Sequence, residues 1–208
     1  MQLTQAFSWG RWIGELVSTI SRKLELRLRL KNAAIRSRYR EQNILIPPLG
    51  IIKLVTGTPD VEWFIETGKI SAERVRSALQ QIHVDPEGLD CILDFGCGCG
   101  RVLSHLADLK AELQGCDYNP KLLAWCGKLV PSAKLAINEL APPLPYESEK
   151  FDLVYAFSTF THWSVELQKQ WIAELTRVLR PKGLLYFTTH GEIFRDNHLQ
   201  SARQFQQR

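Results

Sequence analysis

Apolar and polar positions change rhythm along this chain. From residue 90 onward, short apolar runs alternate with segments of helical spacing. Strand patterns fall at 91–95, 113–116, 133–137, 151–157 and 184–189. Helical patterns fall at 101–110, 120–129 and 165–179. Such alternation predicts right-handed crossovers and a parallel sheet covered by helices on both faces. Residues 1–43 carry a different pattern. Trp9, Trp12, Ile13, Leu16, Val17 and Ile20 lie on one face of a helix. Leu24, Leu26, Leu28 and Leu30 alternate with charged residues, which is strand spacing. Strong helix formers on either side favour a continuous helix there.

Pro47-Pro48 separates this arm from the rest of the chain. Thr58 or Asp60 could cap a turn carrying Trp63, Phe64 and Ile65. A helix is predicted from Ser71, with Val75, Leu79 and Ile82 on one face, ending at Asp85-Pro86-Glu87-Gly88. The predicted organisation is a basic helical arm (1–46), a connecting segment (47–70), an α/β domain (71–191) and a tail (192–208). No internal repeat is visible.

Charge sharpens the division. Residues 1–43 hold nine Lys or Arg against three Glu, a balance of +6 within a chain total of +4. The basicity belongs to the arm. Two readings of the arm stand side by side: a helix packed on the domain or on a second copy of the chain, and an interfacial helix on an anionic membrane. Aromatic residues are not interleaved through the basic stretch, so no nucleic-acid partner is expected. No apolar run is long enough to span a bilayer, and no secretory signal is apparent. The five cysteines (Cys91, Cys97, Cys99, Cys116, Cys126) are odd in number, and three of them lie in or beside predicted buried strands. A reducing, cytoplasmic setting is expected, and Cys97-x-Cys99 alone makes a poor metal site, so no metal is expected.

Chemistry concentrates at Ile92-Leu93-Asp94-Phe95-Gly96-Cys97-Gly98-Cys99-Gly100-Arg101. A strand feeds three alternating glycines, which turn tightly and let a ligand approach the backbone. A helix starting at Arg101 would aim its free N–H groups at an anionic part of that ligand. In open parallel sheets the ligand lies beyond the carboxyl ends of the strands. Those ends carry Asp117-Tyr118-Asn119, then Asn138-Glu139, then Ser158 to Trp163, then Thr189-His190-Gly191. Asp117, 17 residues after Gly100, can accept hydrogen bonds from vicinal ribose hydroxyls or can cap the helix after Asn119. Tyr118 could cover an adenine face. Asn138 offers a donor and an acceptor, or serves as a turn residue.

With these residues in view, the stretch from Ile92 to Gly191 resembles the class I S-adenosylmethionine-dependent methyltransferases. Residues 93–100 look like that family's glycine motif, and Asp117 matches its ribose-binding acid. Pro142-Pro143-Leu144-Pro145 before Phe151-Asp152-Leu153-Val154 resembles the approach to its fourth strand. Residues 174–183, Glu-Leu-Thr-Arg-Val-Leu-Arg-Pro-Lys-Gly, resemble the helix and turn before its fifth. The last two elements separate this resemblance from a nicotinamide dehydrogenase.

The resemblance implies a Rossmann-like, mostly parallel sheet, here lacking the last two family strands, and S-adenosylmethionine as cofactor. Gly96, Gly98 and Gly100 would admit its methionine part, with Asp94 orienting it. Asp117 would hold the ribose, and Asn138 and Glu139 would flank the adenine. Lys182 replaces a glycine common in the family's turn, a change expected to be tolerated. His162 is the candidate base should the acceptor have to lose a proton, with capping of the next helix as its other reading. Trp163, Phe160, His190 and Tyr155 could line a pocket. The expected reaction is methyl transfer to a small-molecule, lipid or saccharide acceptor. The alternative is a non-catalytic cofactor-binding or scaffold subunit. The open edge after the fifth strand implies a shortened sheet, a fragment, or an edge completed by a second copy in a homo-oligomer, with the arm or the tail as other covers.

Overall fold

The computed structural model describes residues 3–189, with side chains from Val17 onward except that of His162. The chain divides into two compact units between Ile65 and Glu66.

In the first unit, α1 (Leu3–Glu41) is one unbroken helix, so the alternating leucines are helical after all. A short helix, α2 (Leu49–Thr56), follows Pro48 and closes on Gly57 in the left-handed region. Asn32 ties the unit together. Its amide donates to Pro59 O at 2.8 Å, and its oxygen accepts from Val61 N at 3.0 Å. Arg36 donates to the carbonyls of Ile46 and Pro47. Asp60 caps the next helix by accepting from Trp63 N at 3.1 Å. Lys31 pairs with Asp60 and Glu62.

Because of that cap, α3 (Val61–Gln81) begins ten residues before the predicted start at Ser71. Its apolar face holds Ala72, Val75 and Leu79, all buried, whereas Ile82 lies past its end and is exposed.

The second unit is a five-stranded parallel sheet. Its strands are β1 (Cys91–Phe95), β2 (Glu112–Asp117), β3 (Lys134–Ile137), β4 (Phe151–Ala156) and β5 (Leu179–Phe187), in the order β3-β2-β1-β4-β5. The helices α4 (Pro120–Leu129) and α5 (Val165–Val178) make two of its crossovers. Both sheet faces are buried. Ile92, Leu113, Leu153 and Tyr155 pack with Leu79 of α3 and Leu123 of α4. Leu93, Phe95, Val154 and Ala156 pack with Trp171, Leu175 and Val178 of α5. The period-two alternation of a strand divides β1 and β4 between these two cores. A Rossmann-like sheet, as expected, is the result.

Two local expectations fail. Residues 101–110 form no α-helix; they hold a 3-10 turn at Leu103–His105. His105 N, Leu106 N and Leu109 N each donate to the carbonyl three residues earlier. Leu103, Leu106 and Leu109 recur every third residue, which is the 3-10 period, and all three are buried. The other miss is β5, which starts at Leu179 and not at Leu184. Pro181-Lys182-Gly183 forms an irregularity inside the strand, marked by a register shift against Phe151 and Leu153.

Glu174 ties α5 to the proline turn. Its carboxylate accepts from Leu144 N at 2.7 Å and pairs with Arg177. That pairing, followed by the Leu144 amide, holds the Glu174 carboxyl below its ordinary range.

Candidate active site

The point where strand order reverses lies between β1 and β4, so the crevice expected for a ligand opens at their carboxyl ends. There the chain leaves Phe95 through a loop fastened to β2. Gly96 N and Cys97 N both donate to Cys116 O, at 2.9 and 3.0 Å. Gly96, Gly98 and Gly100 all sit in the left-handed region, at φ of +75°, +55° and +83°. A Cβ at Gly96 would stand 2.7 Å from Thr159 Oγ1, and one at Gly100 would stand 2.9 Å from Cys126 Sγ. The loop thus needs glycine twice over, for its backbone angles and for its neighbours. Since a 3-10 turn follows it, the donors at this point are loop amides, and no α-helix N-terminus contributes.

Asp117 closes β2 and is 6% exposed. Its Oδ2 accepts from Gly98 N at 2.9 Å and its Oδ1 from Asn119 N at 2.8 Å. Burial raises its pKa, and these two amides oppose the rise. The cap of α4 is Asn119, whose side chain accepts from Lys121 N at 3.0 Å, so Asp117 is not the helix cap. Each oxygen of Asp117 keeps a lone pair beyond its one amide. Tyr118, next to it, is 60% exposed.

Asn138 follows β3, and its N–H donates to Asp117 O at 3.3 Å. Its side-chain amide donates to Glu139 O at 2.7 Å, while its Oδ1 is buried without a partner. Glu139 itself is exposed. Asp117, Tyr118, Asn138 and Glu139 therefore meet at two adjacent strand ends.

Asp94 lies beneath the loop, paired in register with Tyr155 of β4. Complete burial pushes its carboxyl up to about 7. The Tyr155 hydroxyl and the Arg101 guanidinium draw it back, although neither closes a hydrogen bond of ordinary geometry to Oδ2. Arg101 Nε is also buried without a partner. Burial of Asp94 Oδ2, Arg101 Nε and Asn138 Oδ1 without partners is costly unless a ligand completes them. A zwitterionic nucleoside with ribose hydroxyls and an exocyclic amine offers the complementary groups, so the residues present fit S-adenosylmethionine.

After β4 the backbone makes a 3-10 turn, Phe160–His162. The side chain of His162 and all of His190 lie outside the described residues. The cap of α5 is Ser164, whose hydroxyl accepts from Leu167 N at 3.3 Å. Phe160 is buried, and Trp163 stacks on Trp171 at 5.6 Å, so both belong to the α5 core. Tyr155 is fully buried as well. Among the described residues no cluster of His, Cys, Asp and Glu could hold a metal ion. All five cysteines are buried and unpaired. Sequence reading gives no role to Thr159 or Arg101. The one signal for Arg101 is its position, a lone charge between the third glycine and an apolar run.

Residues 93–187 match the family described as Methyltransferase domain. Malonyl-[acyl-carrier protein] O-methyltransferase 1 of Coxiella burnetii is 31% identical over 125 residues, covering 59% of this chain and 40% of that protein. A probable S-adenosylmethionine-dependent methyltransferase of Mycolicibacterium smegmatis is 31% identical over 103 residues, covering 49% of this chain and 38% of its own length. The chain thus spans less than half the length of these curated relatives. Among solved structures, S-adenosylmethionine-bound CalS10, an amino pentose methyltransferase from Micromonospora echinaspora, aligns at 22% identity with a TM-score of 0.47. That alignment covers 62% of this chain and 51% of CalS10. The matched residues run from within β1, through the glycine loop, to the close of β5, so this part of the chain is similar to a methyltransferase domain, and the residues gathered there suit S-adenosylmethionine.

Proposed function

We propose that this chain transfers a methyl group from S-adenosylmethionine to a small-molecule, lipid or saccharide acceptor. One observation carries the reading: three left-handed glycines, the Asp117 carboxylate and the unpartnered Asn138 oxygen converge at neighbouring strand ends. When bound, S-adenosylmethionine supplies a methyl already activated on a sulfonium. The chain's tasks are then to bind, to orient and to exclude water. Gly96, Gly98 and Gly100 give the loop its left-handed turns, Asp117 would accept from ribose hydroxyls, and Asn138 Oδ1 would accept from the adenine amine. Asp94 orients the methionine end from below the loop. His162, in the turn after β4, takes the proton when the acceptor is a hydroxyl or an ammonium. A carboxylate acceptor needs no base. The Coxiella burnetii relative is named for O-methylation of a malonyl-[acyl-carrier protein], which adds carboxylates to the acceptors worth trying.

The test is a panel of acceptors incubated with methyl-labelled S-adenosylmethionine, run on the chain and on His162→Ala. Label in product with a hydroxyl acceptor, reduced about 100-fold or more by the substitution, supports the reading with its base. Cofactor binding without transfer to any acceptor class would favour a non-catalytic cofactor-binding subunit.

A further inference from the structure

We propose that α1 is an interfacial helix that lies flat on an anionic bilayer, with Ile20 and Leu24 at the acyl boundary and Lys23 and Arg27 at the headgroup phosphates. At about 1.5 Å per residue its 39 residues extend roughly 58 Å. Among the described residues, Lys31, Asn32 and Arg36 in its C-terminal third tie it to Asp60, Glu62, Pro59 and Pro47. Upstream, Val17, Ile20, Leu24, Leu26 and Leu30 are between 49% and 63% exposed.

These positions have an order. Ile20, Leu24 and Leu28 follow each other at i, i+4 and i+8 and make one ridge, with Val17 beside it. Lys23, Arg27 and Lys31 make the adjacent ridge at the same spacing. Lys31 is taken by Asp60 and Glu62, but among the described residues Lys23, Arg27 and Arg29 have no ion pair. An apolar ridge flanked by long cationic side chains suits a surface that is apolar below and anionic above, because the stems bury while the heads reach phosphate.

Charge chooses among occupants. A second copy would set a +6 helix against another +6 helix, which repels. An anionic bilayer inverts that sign. Among the described residues no helix is long and apolar enough to cross a membrane, so the proposal is for lying on the surface. The inference does not depend on the acceptor or on cofactor binding.

The experiment is flotation of the full chain with vesicles of phosphatidylcholine alone and of phosphatidylcholine with phosphatidylglycerol. Two variants accompany it, Ile20→Glu/Leu24→Glu and Lys23→Glu/Arg27→Glu. Helix content and a cooperative unfolding transition establish that each variant is folded, a readout separate from methyl transfer. The chain is expected to float with anionic vesicles only and to be released near 1 M salt, where the screening length falls to about 3 Å. Each variant is expected to partition at least about tenfold less. Equal flotation with both vesicles, or none, overturns the proposal. So does retention of binding by the Ile20→Glu/Leu24→Glu variant, which would mark the arm as a simple polyanion binder. A dimer in sedimentation that Ile20→Glu/Leu24→Glu dissociates would give the face to a second copy.

Discussion

The Gly98 amide donates to Asp117 Oδ2 at 2.9 Å, so the carboxylate that ends β2 fastens the middle of the glycine loop. With Asn119 N on its other oxygen, one side chain holds the loop and the entry to α4 together. Loss of this carboxylate leaves two amides without their acceptor. Asp117→Ala is expected to cost about 2–4 kcal/mol of unfolding free energy, and Asp117→Asn, which keeps one acceptor oxygen, about half as much. Urea denaturation of the three proteins measures this. Equal stability of all three would show that water replaces the carboxylate without loss.

The loop is also braced from β4. Thr159 Oγ1 lies against Gly96 and approaches the carbonyls of Phe95 and Phe157 at 3.4 and 3.3 Å. Gly96→Ala meets both this hydroxyl and an unfavourable φ, and about 2–3 kcal/mol of destabilisation is expected. Pairing it with Thr159→Gly removes the collision but not the φ. The double variant should therefore cost about 1 kcal/mol less than the two single costs added together. Plain additivity in a double-mutant cycle would mean the contact is not felt.

Lys182 occupies a left-handed position, φ +68°, within the irregular stretch of β5. Glycine suits that conformation, as the family's common residue there implies. Lys182→Gly is expected to raise stability by about 0.5–1 kcal/mol, the relief of φ exceeding the added entropy of the unfolded chain. A lowered melting temperature would contradict this.

Asp94 makes the stability depend on pH. Its folded carboxyl is raised from 3.8 to about 7 by burial. Between about pH 4 and pH 7 the native chain therefore retains a proton that the unfolded chain has lost. This contribution to stability is fully present below pH 4 and is lost as pH rises through 7, by up to about 4 kcal/mol. Asp94→Asn does not titrate, so its stability should fall less than that of the parent between pH 5 and pH 8. Parallel pH curves for the two proteins would show that Asp94 is not buried as described.

Much of this fold was legible in the residues. All of β1 is buried, and its apolar run with period-two division between two cores is strong enough to be read directly. The chain from Pro120 to Leu129 carries its own cap and apolar face, and it is read with its observed bounds. Residues 101–110 misled because leucines spaced by three fit a helical template as well as a 3-10 turn. The cap at Asp60 was legible, but not that the turn it opens runs unbroken into the helix read from Ser71. At the site, Asp117, Tyr118, Asn138 and Glu139 could be gathered from strand ends alone. The Gly98 to Asp117 bond and the Thr159 brace could not, since both join residues distant in sequence through the register of the sheet.

We propose that the glycine loop and Asp117 hold S-adenosylmethionine. Calorimetric titration of the chain with S-adenosylmethionine and S-adenosylhomocysteine, alongside Asp117→Asn, tests it most directly. The expected result is micromolar binding of both, about −8 kcal/mol, weakened at least about tenfold in Asp117→Asn while that variant remains folded. A folded chain that binds neither compound, or an Asp117→Asn variant that binds both unchanged, would contradict the account.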